Sequence, residues 1–214
     1  MKTGRAPLLI LALLLTASAS QAQSGGARED ALGLSIGYSW VSSQQWGIIQ
    51  NRHVTMVGAR IETQLVRWHR TTLVHTLELP VTIVARKSSR VTNACWPRDP
   101  RICMRDTSSS AAAGLGVLPL GLKLYMGAHG MSRLFVNAAG GVSAFSGNVP
   151  TTDSRRLNFL LEAGIGVELP APGRRRVIFG YKYVHVSNAD TAPSNPGLDA
   201  NLVYVGLTYR ASAK

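Results

Sequence analysis

Apolar side chains return at every second position along most of this chain of 214 residues, in runs too long for ordinary globular strands. Across 72–85, Leu73, Leu77, Leu79, Val81 and Ile83 share one parity, and Thr76, Glu78, Pro80 and Thr82 hold the other. Further on, Leu118, Leu120, Leu122, Leu124 and Met126 alternate with Pro119, Gly121, Lys123 and Tyr125. A third run sets Phe159, Leu161, Ala163, Ile165, Val167 and Leu169 against Asn158, Leu160, Glu162, Gly164, Gly166 and Glu168. Successive strand side chains point to opposite faces, so this period predicts strands with one apolar face. Eight such runs occur, at 31–41, 54–68, 71–86, 112–126, 132–146, 156–169, 175–187 and 200–210.

Many of these runs pass ten residues, whereas a tilted strand needs about 9–11 residues to cross the hydrocarbon of a bilayer. The connections alternate too. Segments 42–53, 87–111, 147–155 and 188–199 are long, and 69–70, 127–131 and 170–174 are short. Long loops at one end and short turns at the other predict an all-β fold, an eight-stranded antiparallel outer-membrane β-barrel. Charge makes up 16% of the chain and concentrates in turns and loops, as a lipid-facing exterior requires. A soluble barrel is the alternative, with the apolar parity turned inside. With a periplasmic N-terminus, all four long loops face outward.

Export is read from the N-terminus. Lys2 and Arg5 precede the apolar run Leu8 to Leu15, and small residues follow as far as Ala22. That arrangement predicts a signal peptide at 1–22 and a single barrel domain at 23–214. Loss of Lys2 and Arg5 lowers the formal charge from +12 to +10, so the mature chain stays basic. A basic exported protein points to anionic lipid as partner and away from nucleic acid. Cys95 and Cys103, an even pair in an exported chain, are expected to form a disulfide that clips the second long loop.

Reactive side chains gather near the C-terminal end, in His185-Val-Ser187-Asn188 followed by Asn195-Pro-Gly197-Leu-Asp199. His185 and Ser187 lie two apart and share a strand face with Tyr181 and Tyr183, while Asp199 shares parity with Val203, Val205 and Leu207. All three therefore project from the apolar, lipid-facing side, where polar groups are costly unless they work or sit at the interface. A serine hydroxyl becomes nucleophilic when a neutral imidazole takes its proton, and a carboxylate on the other ring nitrogen fixes the tautomer. The turn around Asn195 and Gly197 offers N–H donors for an oxyanion. Taken without context, the same residues also read as a polar strand end and turn.

The run His185-x-Ser187-Asn188-Ala189, then Asn195-Pro-Gly197 and an acid fourteen positions after the histidine, resembles the lipid A 3-O-deacylase (PagL-type) family. The resemblance implies an outer-membrane acyl hydrolase that removes the 3-O-acyl chain of lipid A and releases a 3-hydroxy fatty acid. It also implies a substrate within lipopolysaccharide, an active site toward the outer leaflet, and no cofactor or metal. His185 would be the base, Ser187 the nucleophile and Asp199 the acid. Asn195 and Gly197 would shape the oxyanion site, and Asn188 the turn. The family acid is typically glutamate. Aspartate is one methylene shorter, so its reach depends on the local backbone, and Asp199→Glu is expected to preserve or raise turnover. The rival is a non-enzymatic barrel, structural or adhesin-like, which shares every bulk feature.

Other residues are read more plainly. His53, His69, His75 and His129 lie apart, without metal-ligand spacing. Arg174, Arg175 and Arg176 form a charge run expected to meet headgroups or solvent, and Arg90, Arg155 and Arg156 are candidates to steer lipid phosphates. Trp40, Trp46, Trp68, Trp96, Tyr38, Tyr204 and Tyr209 fall near strand ends or in loops, as an aromatic girdle would.

Overall fold

A computed structural model describes residues 30–86, 92–96, 99–106, 111–128 and 130–211. The expected signal peptide, Arg90 and His129 lie outside the described residues. Ten strands follow in order: β1 (Asp30–Ser43), β2 (Arg52–Trp68), β3 (Thr71–Arg86), β4 (Thr92–Trp96), β5 (Asp99–Asp106), β6 (Ala112–Met126), β7 (Arg133–Val149), β8 (Arg155–Pro170), β9 (Arg175–Ser187) and β10 (Leu198–Arg210). Eight of them close a barrel in the order β1-β10-β9-β8-β7-β6-β3-β2. Every neighbouring pair in it is antiparallel. The shortest barrel strands have 13 residues. At about 3.3 Å per residue and about 45° of tilt, such a strand rises about 30 Å, the thickness of a hydrocarbon core.

The apolar parity looks outward. Leu34, Leu115, Leu134, Ile165 and Val203 are all more than half exposed. A soluble barrel is thereby overturned, because its exterior would be polar. Trp40, Trp68, Tyr38 and Tyr209 are exposed on this outer wall. Tyr204 departs from the expected girdle. It lies inside, 4% exposed, and its ring occupies the space that a side chain at Gly180 would fill.

One parity expectation fails, for a local reason. Leu118 faces the interior and is fully buried, while Leu120 and Leu122 face out. The register of β6 against β7 shifts between Val117 and Leu120. Pro119 has no N–H to give the ladder, so a bulge forms there and turns the following residues over. The Pro119 carbonyl is bonded instead by His75 Nε2 at 2.8 Å.

Two further differences concern loops. The second long loop contains the hairpin β4–β5, a separate two-stranded sheet in which Cys95 faces Cys103. Their sulfurs are joined at 2.02 Å. The expected loop 147–155 shrinks to 150–154, because β7 and β8 run on to Val149 and Arg155.

Charge is not confined to turns, contrary to the expectation. At mid-height, Lys182 Nζ bridges Glu162 at 2.8 Å and Glu78 at 3.2 Å. Toward the short-turn end, Glu62 accepts from Arg60 at 2.9 Å, Lys123 at 3.0 Å and Tyr125 at 2.8 Å. There Glu168 Oε1 accepts from Arg133 at 2.7 Å, Arg176 at 3.1 Å and Arg210 at 2.7 Å. Arg176 thus points inward and is 7% exposed, unlike its exposed neighbours Arg174 and Arg175. The long-loop end is filled differently. Val54, Met56, Val84, Val184, Val186, Leu198 and Leu202 form an apolar core closed by Ile48 and Ile49 from the loop after β1.

Glu168→Ala would leave three guanidinium groups around a vanished carboxylate. Breaking a buried ion cluster this way costs about 3–5 kcal/mol. The loss should appear as a lower midpoint when the folded barrel is titrated with urea, read from its electrophoretic mobility.

Candidate active site

The three reactive side chains arrive from two neighbouring strands. β9 and β10 pair so that His185 stands directly opposite Asp199. Side chains opposite each other on an antiparallel pair have Cβ atoms about 4.5–5.5 Å apart, so a short acid reaches an imidazole. His185 Nδ1 and Asp199 Oδ1 are 2.6 Å apart. Ser187, at the end of β9, lies two residues beyond His185 on the same face, opposite Phe159 of β8. No hydrogen bond holds the Ser187 hydroxyl among the described residues, so the His–Asp pair is formed while the serine stands apart from it.

The second oxygen of Asp199 is held from another element. Asp199 Oδ2 accepts the backbone N–H groups of Gln45 and Trp46 at 2.8 Å each and of Gly47 at 3.0 Å. The carboxylate is consequently fully buried, and the His185 side chain is only 12% exposed. This corrects the expectation that both segments simply project onto the lipid-facing wall. The loop after β1 lies over the acid.

That loop is fastened at several points. Ile48 N donates to Pro196 O at 2.7 Å, and Ile49 bridges Leu198 in parallel. Burial of Ile48 and Ile49 in the barrel mouth supplies roughly 1.5–3 kcal/mol each. The Trp46 ring stands edge-on to His185, with centroids 5.5 Å apart, and to Tyr183 at 5.8 Å. Gln45, Trp46 and Gly47 were not singled out as site residues by sequence reasoning. The available signal was the run Trp46-Gly47-Ile48-Ile49, apolar between glutamines on both sides.

The loop before β10 is built from its own amides. Asn188 is fully buried; its backbone N–H donates to Asn195 Oδ1 at 3.0 Å, and its Nδ2 to Ser194 O at 2.8 Å. Its carbonyl accepts from the Thr191 hydroxyl at 2.7 Å. With Oδ1 engaged, Asn195 keeps its Nδ2 for another acceptor. Gly197 has a φ of 61°, and a Cβ there would sit 2.9 Å from Gly47 Cα and 3.1 Å from His185 Cε1. Among the described residues, no three His, Cys, Asp or Glu side chains gather as a metal site. His53 bonds the Tyr38 hydroxyl at 2.7 Å, and His75 is engaged at Pro119.

A closed eight-stranded barrel with an apolar outer wall and a His–Asp pair set into its rim belongs to the class of outer-membrane β-barrels. The family follows from comparison. The model of the lipid A 3-O-deacylase (PagL) family matches residues 96–208, more than half of the chain, and the chain belongs to that family. It is accordingly an outer-membrane hydrolase. No curated protein matches it. Among solved structures, that of the outer membrane enzyme PagL is 17% identical, covering 82% of this chain and 97% of its own, with a TM-score of 0.56. Neisserial surface protein A is 10% identical over 85% of this chain and 96% of its own, with a TM-score of 0.46. The attachment invasion locus protein Ail of Yersinia pestis is 9% identical over 87% of this chain and 100% of its own, with a TM-score of 0.45. At its identity, the likeness to PagL shows the fold alone.

Gly197→Ala would force an L-residue into the left-handed region, which costs about 1–2 kcal/mol, and would press its methyl group on His185. Hydrolytic activity is expected to fall while the barrel remains folded. Ester turnover measured beside the electrophoretic mobility of the folded protein checks this.

Proposed function

We propose that this chain hydrolyses the ester-linked 3-O-acyl chain of lipid A through Ser187, His185 and Asp199. The observation that carries the reading is the 2.6 Å contact between His185 Nδ1 and a buried Asp199. A carboxylate on Nδ1 keeps the proton there and leaves Nε2 as the base for Ser187, two residues on along the same strand face. His185 takes the Ser187 proton as Oγ attacks the ester carbonyl. The developing oxyanion is met by Asn195 Nδ2, whose Oδ1 is already tied to Asn188. His185 then passes the proton to the departing 3-oxygen of the sugar, leaving an acyl-serine. A water molecule, deprotonated by His185, attacks the acyl-serine; the acyl–Oγ bond breaks, His185 returns the proton to Ser187 Oγ, and the 3-hydroxy fatty acid leaves.

The substrate class follows from the family and from the outward apolar wall beside the site. Phe159, Leu161 and Tyr181 are exposed around His185 and Ser187, so acyl chains can lie against them without leaving hydrocarbon. With the long loops outside the cell, the site faces the outer leaflet, where lipopolysaccharide resides. Arg155 and Arg156, exposed at the loop end of β8, are placed to attract its phosphates.

Mass spectrometry of lipid A from cells expressing wild type and Ser187→Ala tests this reading. Wild type should yield lipid A lighter by one 3-hydroxyacyl chain, and Ser187→Ala should lower turnover by about three orders of magnitude or more. An unaltered acyl pattern with folded wild-type protein would favour a non-enzymatic barrel instead.

A further inference from the structure

We infer that the backbone of residues 45–47 positions the acid of the triad, and that this loop is matched to aspartate at position 199. The inference rests on the proposed triad and adds a second element to it. Three successive N–H groups converge on a single oxygen, Asp199 Oδ2, while Oδ1 faces His185. Charge-assisted bonds of this kind are the strong ones, and together they fix both the rotation and the depth of the carboxylate. A carboxylate so held cannot turn away from the imidazole, and its charge is neutralised by dipoles that need no rearrangement during the reaction.

The loop can act as a clamp because it is itself fixed. Ile48 and Ile49 sit 2% and 0% exposed in the barrel mouth, immediately after the three donors. Gly47 lies against the backbone of the loop before β10. A Cβ on Gly47 would come within 2.6 Å of Gly197 C, 2.7 Å of Leu198 N and 2.8 Å of Gly197 O. None of those atoms is a flexible side-chain end, so any residue but glycine drives the two loops apart. Ser43, the last residue of β1, pairs with Asp199 itself, so the loop leaves its strand already beside the acid.

The match to aspartate is geometric. His185 and Asp199 stand opposite each other, and the imidazole takes one carboxylate oxygen while the three amide groups take the other. An added methylene pushes the carboxylate out of this slot toward the imidazole, and both sets of bonds cannot be kept. Asp199→Glu should therefore lower turnover here, which reverses the expectation, drawn from the family's usual glutamate, that it preserves or raises it.

The test measures kcat and KM on lipid A in detergent micelles for wild type, Gly47→Ala, Asp199→Glu, the double variant and Ser187→Ala. Folding of each is checked by its heat-dependent electrophoretic shift. Gly47→Ala should lose about 10²-fold in kcat with KM little changed, since a displacement near 1 Å in a catalytic group costs about that much. Asp199→Glu should also lose kcat. The double variant should be no worse than the poorer single, because both changes break one link. Wild-type turnover in either single variant, or losses that multiply in the double, overturns the inference. If Gly47→Ala does not fold, the Asp199→Glu measurement decides alone. Failure of the triad itself is distinguishable, since Ser187→Ala would then retain activity.

Discussion

Everything in this molecule depends on the closure of β1 against β10. In hydrocarbon an unpaired backbone N–H or C=O costs several kcal/mol, so the sheet has no admissible edge, and the first and last strands must meet. Their register runs from Ala31 opposite Arg210 to Ser43 opposite Asp199. Closure thus brings the loop that follows β1 beside the loop that precedes β10. The candidate site lies across that seam. Residues 45–47 come from one side and Asn195, Gly197 and Asp199 from the other.

The barrel wall separates two kinds of polar chemistry. Inside, carboxylates and cations neutralise each other in pairs and clusters, and Glu168 alone serves Arg133, Arg176 and Arg210. Outside, the wall is mostly apolar, its histidines His53 and His75 and its Asn201 are each hydrogen-bonded, and at His185 the charge of Asp199 is covered by the loop after β1. A carboxylate on a lipid-facing surface is tolerable under those conditions: fully buried and paired on both oxygens. The apolar filling of the long-loop end also serves the site, because it holds Ile48 and Ile49, and through them the three donors.

Much of this was legible beforehand. Alternation located all eight barrel strands, since a strand with lipid on one side and packed polar groups on the other must alternate. It failed at Leu118, where a missing proline N–H broke the ladder and shifted the period by one. It missed β4 and β5, which lie outside the barrel and lack a lipid face to impose the pattern. Arg176 follows two exposed arginines that suggest a surface role, whereas Tyr204 stands mid-strand with the parity opposite to outward Val203 and Val205, which already points it inside.

Sequence alone determined the barrel, its strand count and the grouping of His185, Ser187 and Asp199 on one face, because period, parity and loop length are one-dimensional properties. Whether a short acid reaches the histidine was not of that kind. It depended on the pairing of β9 with β10, which sets Asp199 directly opposite His185. The clamp of residues 45–47 depended on more still: closure between elements about 150 positions apart. No local pattern encodes a backbone N–H as a partner, since every residue but proline carries one. Only the folded ring says where those three point.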